Sequence, residues 1–204
     1  MGLTKEIRKT RIKLGYKAFA TEGLVLTIRK FGRKRRLSSK TMNKIKSTYS
    51  LVEVLNEERG FVLGISTEVE NWIDNIITLF FFKHRFKQKN IRPLFKAMIL
   101  EKEFFNLIQK IKLIKEIMIH KGIDKEEDSK ELRVLLHKFM KVRNAFAHGE
   151  IVFKQKFEPY LIYYSGGRQV DPLTPAYFEE IYTTVSLIRG LSEKIRKKVS
   201  GWKV

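Results

Sequence analysis

The sequence predicts an all-α protein: a helical bundle with a small β-hairpin inserted before its last helix and a basic helical arm ahead of its first. Three observations carry that expectation. Apolar residues recur at three-to-four-residue spacing over several long segments. β-Branched and aromatic residues crowd together in a short stretch, 150–164, followed by turn residues. Positive charge is concentrated in the first 50 residues.

The arm comes first. Residues 1–50 hold 15 Lys or Arg against Glu6 and Glu22, a surplus of 13 in a chain whose formal net charge is +20. Residues 3–30 read as a basic helix with an irregular apolar stripe, and Lys30 to Arg36 with Ser38 and Ser39 as a charged connector. Arg33, Lys34, Arg35 and Arg36 are the candidate RNA-binding residues, because such a run releases counterions from a phosphate backbone. The same charge is attracted to a membrane surface, the weaker alternative. The chain therefore divides into an arm, 1–50, and a helical domain, 51–204.

Within that domain, Ile65, Val69, Trp72, Ile73, Ile76 and Phe80 predict a helix from Asn56 to about Lys83. Pro93 opens a short helix, and Leu107, Ile108, Ile111, Ile114 and Met118 mark another from Phe104 to His120, with Gly122 as its carboxyl-terminal cap. Asp128 and Glu131 have the spacing of a capping box for the next helix, which carries Leu132, Leu135, Leu136, Phe139 and Val142 and stops at Gly149. Segments 150–153 and 159–164 with Ser165-Gly166-Gly167 predict the hairpin. Thr174 and Pro175 then start a last helix through Phe178, Ile181, Val185, Ile188 and Ile195.

Composition excludes several classes. The 204 residues are 43% hydrophobic, enough for one sizeable core. With no cysteine there is neither a disulfide framework nor a cysteine-ligated metal site, and a reducing cytoplasm is expected. No apolar run behind the first charges resembles a signal peptide. The most apolar stretch, Trp72 to Phe82, is broken by Asp74, Asn75 and Thr78 and falls short of the roughly 20 residues needed to span a bilayer. His84, His120 and His137 lack the spacing by which one helix ligates a metal, so neither metal nor cofactor is expected. Tyr160, Tyr163 and Tyr164 read equally as base-stacking residues and as one side of a buried strand.

The candidate chemistry lies at Arg143-Asn144-Ala145-Phe146-Ala147-His148. Arg143 continues the stripe of Leu132, Leu136 and Phe139, whereas Lys130, Lys138 and Lys141 lie elsewhere on the helix. A guanidinium on such a stripe calls for a partner or a task, and a polyanion supplies one. His148 sits at the helix end, where the macrodipole favours an imidazolium. Together they form a minimal kit for cleavage of RNA by its own 2′-hydroxyl, with Asn144 orienting either group. The alternative from the same spacing is that Arg143 and His148 cap the last helical carbonyls.

The segment Val142-Arg143-Asn144-Ala145-Phe146-Ala147-His148-Gly149 resembles the Arg, four residues, His motif of the HEPN superfamily, including the polar residue after the arginine. The resemblance spans residues 56–198 through the order of helices. It implies a HEPN-like helical bundle and a metal-independent endoribonuclease of toxin-antitoxin or phage-defence type. It further implies a homodimer that brings two motifs into one cleft, and products ending in a 2′,3′-cyclic phosphate. By that likeness Arg143 stabilises the scissile phosphate, His148 is the general acid or base, Asn144 supports them, and Glu70 is an acidic helper on the first bundle helix. An antitoxin or regulatory protein is a further implied partner. Glu150 stands where toxins silenced by a nucleotidyltransferase carry tyrosine, which removes that mode of control. Some relatives are non-catalytic modules that bind nucleic acid, a membrane surface or a protein, and this is the alternative function.

Overall fold

The computed structural model describes residues 39–49 as backbone and residues 50–82, 91–102, 105–154 and 158–201 in full. In chain order the elements are α1 (Ser39–Phe82), α2 (Ile91–Phe95) running into a π-helical turn (Lys96–Leu100), α3 (Leu107–His120) and α4 (Glu127–His148). They continue as β1 (Glu150–Phe153), β2 (Pro159–Tyr164), β3 (Arg168–Pro172) and α5 (Pro175–Ser200). The architecture is mostly helical with one small antiparallel sheet.

The apolar stripes meet in a single core. Ile65, Val69, Ile73 and Ile76 of α1 are buried against Ile111, Ile114 and Met118 of α3, Leu132, Leu136 and Phe139 of α4, and Phe178, Ile181, Val185, Ile188 and Ile195 of α5. Side-chain contacts fix the directions. Glu58 of α1 accepts from Tyr182 near the start of α5, while residues 72–79 lie beside residues 189–196, so α1 and α5 run parallel. Phe80 stands edge-on to His120, which makes α3 parallel to them. Arg59 reaches the end of α4, which runs the other way.

The termini of these helices are locally encoded. Asn106 accepts from Gln109 N–H while the Gln109 side chain accepts from Asn106 N–H, a reciprocal box at the start of α3. Thr174 accepts from Tyr177 N–H at 3.2 Å, with Pro175 in the first turn of α5. Gly122 follows α3 with φ 69°, a left-handed conformation suited to glycine.

Three expectations change. The first bundle helix begins at Ser39 rather than Asn56 and runs unbroken through residue 50. Residues 1–38, which include Arg33 to Arg36, lie outside the described residues. The inserted β unit has three strands, not two: β1 pairs with β2, Glu150 opposite Ile162, and β2 with β3, Tyr164 opposite Arg168. β3 was hidden because Arg168, Gln169 and Pro172 are exposed and give no apolar alternation. The Asp128–Glu131 capping box does not form, since the N-cap position falls at Glu126, two residues earlier, and Asp128 pairs with Lys194 at 3.0 Å and Lys198 at 3.2 Å on α5. Those two lysines hold the Asp128 carboxyl below its usual range.

Gly149 joins α4 to β1 through close packing rather than an unusual backbone, because its φ is −85°. A Cβ there would lie 2.3 Å from the Ala145 carbonyl oxygen and 2.9 Å from that of Ile162. Gly149→Ala is therefore expected to destabilise the protein by about 1–3 kcal/mol in urea denaturation. Stability equal to wild type would contradict the packing described.

Candidate functional site

Arg143 and Asn144 lie on a cleft of about 620 Å³ where α1, the π-helical turn, the start of α3 and the end of α4 meet. Glu70, Asn71 and Asp74 come from α1, Lys110 from α3, and Arg143 and Asn144 from α4. The fold thus brings together three of the candidate residues, Glu70, Arg143 and Asn144, from segments more than 70 positions apart. His148 is not on this cleft; it is exposed at the end of α4, and five residues of helix turn it about 140° from Arg143.

The charge arrangement depends on a group that the sequence did not single out. Lys110 is only 2% exposed, and its Nζ lies 3.0 Å from Asp74 Oδ1 and 3.2 Å from Glu70 Oε2. Asp74 is equally buried. Burial raises its carboxyl above the usual range, and the hydrogen bond and charge of Lys110 pull it back. Lys96 of the π-helical turn donates to Asn71 Oδ1 at 2.7 Å and closes the α1 side. A signal for Lys110 existed: it lies three residues after Leu107 and four before Ile114, on that helix's buried stripe. Glu70 is therefore already engaged by Lys110 rather than directed at Arg143 alone.

Arg143 is half-buried, consistent with its place after Phe139. Its Nη1 donates to Asn144 Oδ1 at 3.1 Å, while its buried Nε has no hydrogen-bond partner among the described residues. A buried donor left without a partner is costly, so the guanidinium is held at a site that leaves part of its hydrogen-bonding capacity unused.

The capping alternative is met by other groups. Arg59 Nη2 donates to the Ala147 carbonyl at 3.3 Å and Gly149 N–H donates to that of Ala145 at 2.7 Å. Among the described residues, neither the Arg143 nor the His148 side chain donates to a carbonyl of the last turn. His148 makes no hydrogen bond there and stands open to solvent.

Of the strand tyrosines, Tyr163 donates to Asp171 at 3.0 Å and Tyr160 donates to Glu158 beneath Lys154. Tyr164 is exposed. Among the described residues no group of three His, Asp or Glu side chains converges as a metal site, and no helix is long and apolar enough to cross a membrane. Comparison with family models, with curated proteins and with solved structures finds no match to this chain.

Proposed function

We propose that the protein is a metal-independent endoribonuclease of HEPN type whose site is completed between two copies of the chain. The observation that carries this reading is the separation of its two key groups. Arg143 lines the cleft and keeps a buried Nε without a partner among the described residues, whereas His148 stands exposed off it, and neither caps the helix. A second copy packed about a two-fold axis along the ends of α4 supplies a His148 to each Arg143.

The chemistry then needs these side chains and the RNA. His148 takes the proton of a 2′-hydroxyl, the 2′-oxygen bonds to the adjacent phosphorus, the bond from phosphorus to the 5′-oxygen breaks, and the proton passes to that departing oxygen. Arg143, held by Asn144, stabilises the charge that builds on the non-bridging oxygens. Glu70 acts through Lys110 on the shape and charge of the cleft. Arg33 to Arg36 add sequence-independent grip. The resemblance at Val142 to Gly149 supports the same assignment of roles.

Subunit mixing tests the composite site. Arg143→Ala and His148→Ala proteins are each expected to be inactive, and after exchange the mixture to regain about a quarter of wild-type cleavage. Half of randomly paired dimers are mixed, and each mixed dimer holds one intact site. Exchange without recovery would rule out a site shared between copies.

A further inference from the structure

The seam between α3 and α4 continues beyond the cleft as a groove of about 730 Å³, and its lining is basic. Lys112 and Lys115 of α3 face Lys130, Arg133 and Lys141 of α4 across it. Among the described residues no carboxylate pairs with Lys112, Lys115, Lys130 or Lys141, unlike Lys138 on the rim, which meets Glu180 at 2.6 Å. Arg133 is held in place by donating to the carbonyls of Ser129 and Asp124, each at 3.3 Å. Four lysines without a carboxylate partner along one groove make the local field positive, which attracts a polyanion lying between them.

Groove and cleft are successive parts of one track. On α4 the residues Lys130, Val134, His137, Lys141 and Asn144 follow one another at spacings of four, three, four and three, a single face about 21 Å long. The first four line the groove and the last lines the cleft. On α3 the change occurs within one turn, from Lys112 and Ile111 in the groove to Ile108 in the cleft. Val134 is 65% exposed, so apolar surface as well as charge is on offer, and His137 presents a ring on which a base can stack. A concave groove between two helices, walled by lysines, suits an extended strand rather than the plane of a bilayer.

We infer that this groove is a binding site for the backbone of single-stranded RNA and leads that strand to Arg143 and Asn144. The inference rests on the ribonuclease reading only for the strand's destination. It assigns grip to described residues of the bundle, independently of the arm.

The test uses the full-length chain carrying His148→Ala, a fluorescent single-stranded RNA, and affinity measured over a range of salt concentrations. Replacing Lys112, Lys115, Lys130 and Lys141 together by Gln is expected to weaken binding roughly 10-fold or more at moderate salt. It should also lower the slope of log affinity against log salt by about 2–3, near 0.7 for each phosphate no longer neutralised. Replacing the exposed Lys121, Lys125, Lys154 and Lys197 by Gln equalises net charge and is expected to lower the slope by less than about 1. An unchanged slope in the groove variant, or an equal fall in the control, overturns the inference. So does loss of binding to phosphatidylserine vesicles with RNA affinity intact. Cleavage by otherwise wild-type protein, assayed beside these, separates the two readings: RNA cut normally with an inert groove defeats only the groove. RNA held by the groove yet never cut defeats only the ribonuclease.

Discussion

Replacing Lys110 by methionine is expected to destabilise the bundle by about 3–5 kcal/mol at neutral pH, the usual consequence of removing one member of a buried ion pair. The lysine is 2% exposed and lies 3.0 Å from an Asp74 carboxylate that is as deeply buried. Methionine fills most of the volume but leaves the buried Asp74 carboxyl without its cation and still beside Glu70. The pH dependence follows from the direction in which Asp74 is shifted. Burial already holds its carboxyl above the usual range against the pull of Lys110. A folded-state pKa above the unfolded one means that the protonated form favours folding. That contribution is complete below the unfolded value near 3.9 and is lost as pH rises through the folded value. Without Lys110 the carboxyl rises further. The variant should therefore approach wild-type stability in acid and fall behind it as pH increases, read by urea denaturation at several pH values. Adding Asp74→Leu should recover much of the loss by removing the stranded charge. A Lys110→Met protein within about 1 kcal/mol of wild type at neutral pH would show that the cluster is not the buried pair described.

Much of the scaffold was legible in the sequence because three-to-four-residue periodicity reports burial directly. The stripes on α3, α4 and α5 are the faces that pack, and Thr174-Pro175 starts α5 as its chemistry dictates. Boundaries were less legible. Leu51, Val54, Leu55 and Val62 carry the same three-to-four-residue spacing as the rest of α1 and are buried, a stripe that begins ahead of Asn56 but is masked by the surrounding positive charge. Asp128 had the right spacing for a cap, but two lysines on α5, distant in sequence, compete for its carboxylate.

The site divides in the same way. Arg143 could be found because it extends an apolar stripe, and the structure does place it at the wall of a cleft. Lys110 satisfies the same criterion on α3 and was missed because a lysine reads as surface charge until its two carboxylate partners are seen. That Glu70 and Arg143 share a cleft follows from α1 and α4 packing antiparallel, which no local pattern encodes. Lys130 and Lys141 read in the sequence as ordinary surface charges, and only the approach of α3 makes them one wall of a groove.

On the proposed ribonuclease reading, cleavage depends most strongly on His148. His148→Ala is expected to lower the rate by about 10²–10⁴-fold, the range for removal of a general acid–base group. The fold should be unchanged, because His148 is exposed and makes no hydrogen bond among the described residues. Loss of activity with an unaltered denaturation midpoint therefore separates a chemical role from a structural one. The most direct measurement is end-group analysis of labelled RNA incubated with wild-type and His148→Ala protein in excess chelator. Wild-type protein should leave 2′,3′-cyclic phosphate and 5′-hydroxyl ends regardless of chelator, with little or no product from the variant. Ends bearing 3′-hydroxyl and 5′-phosphate, cleavage abolished by chelator, or equal cleavage by both proteins would contradict the account.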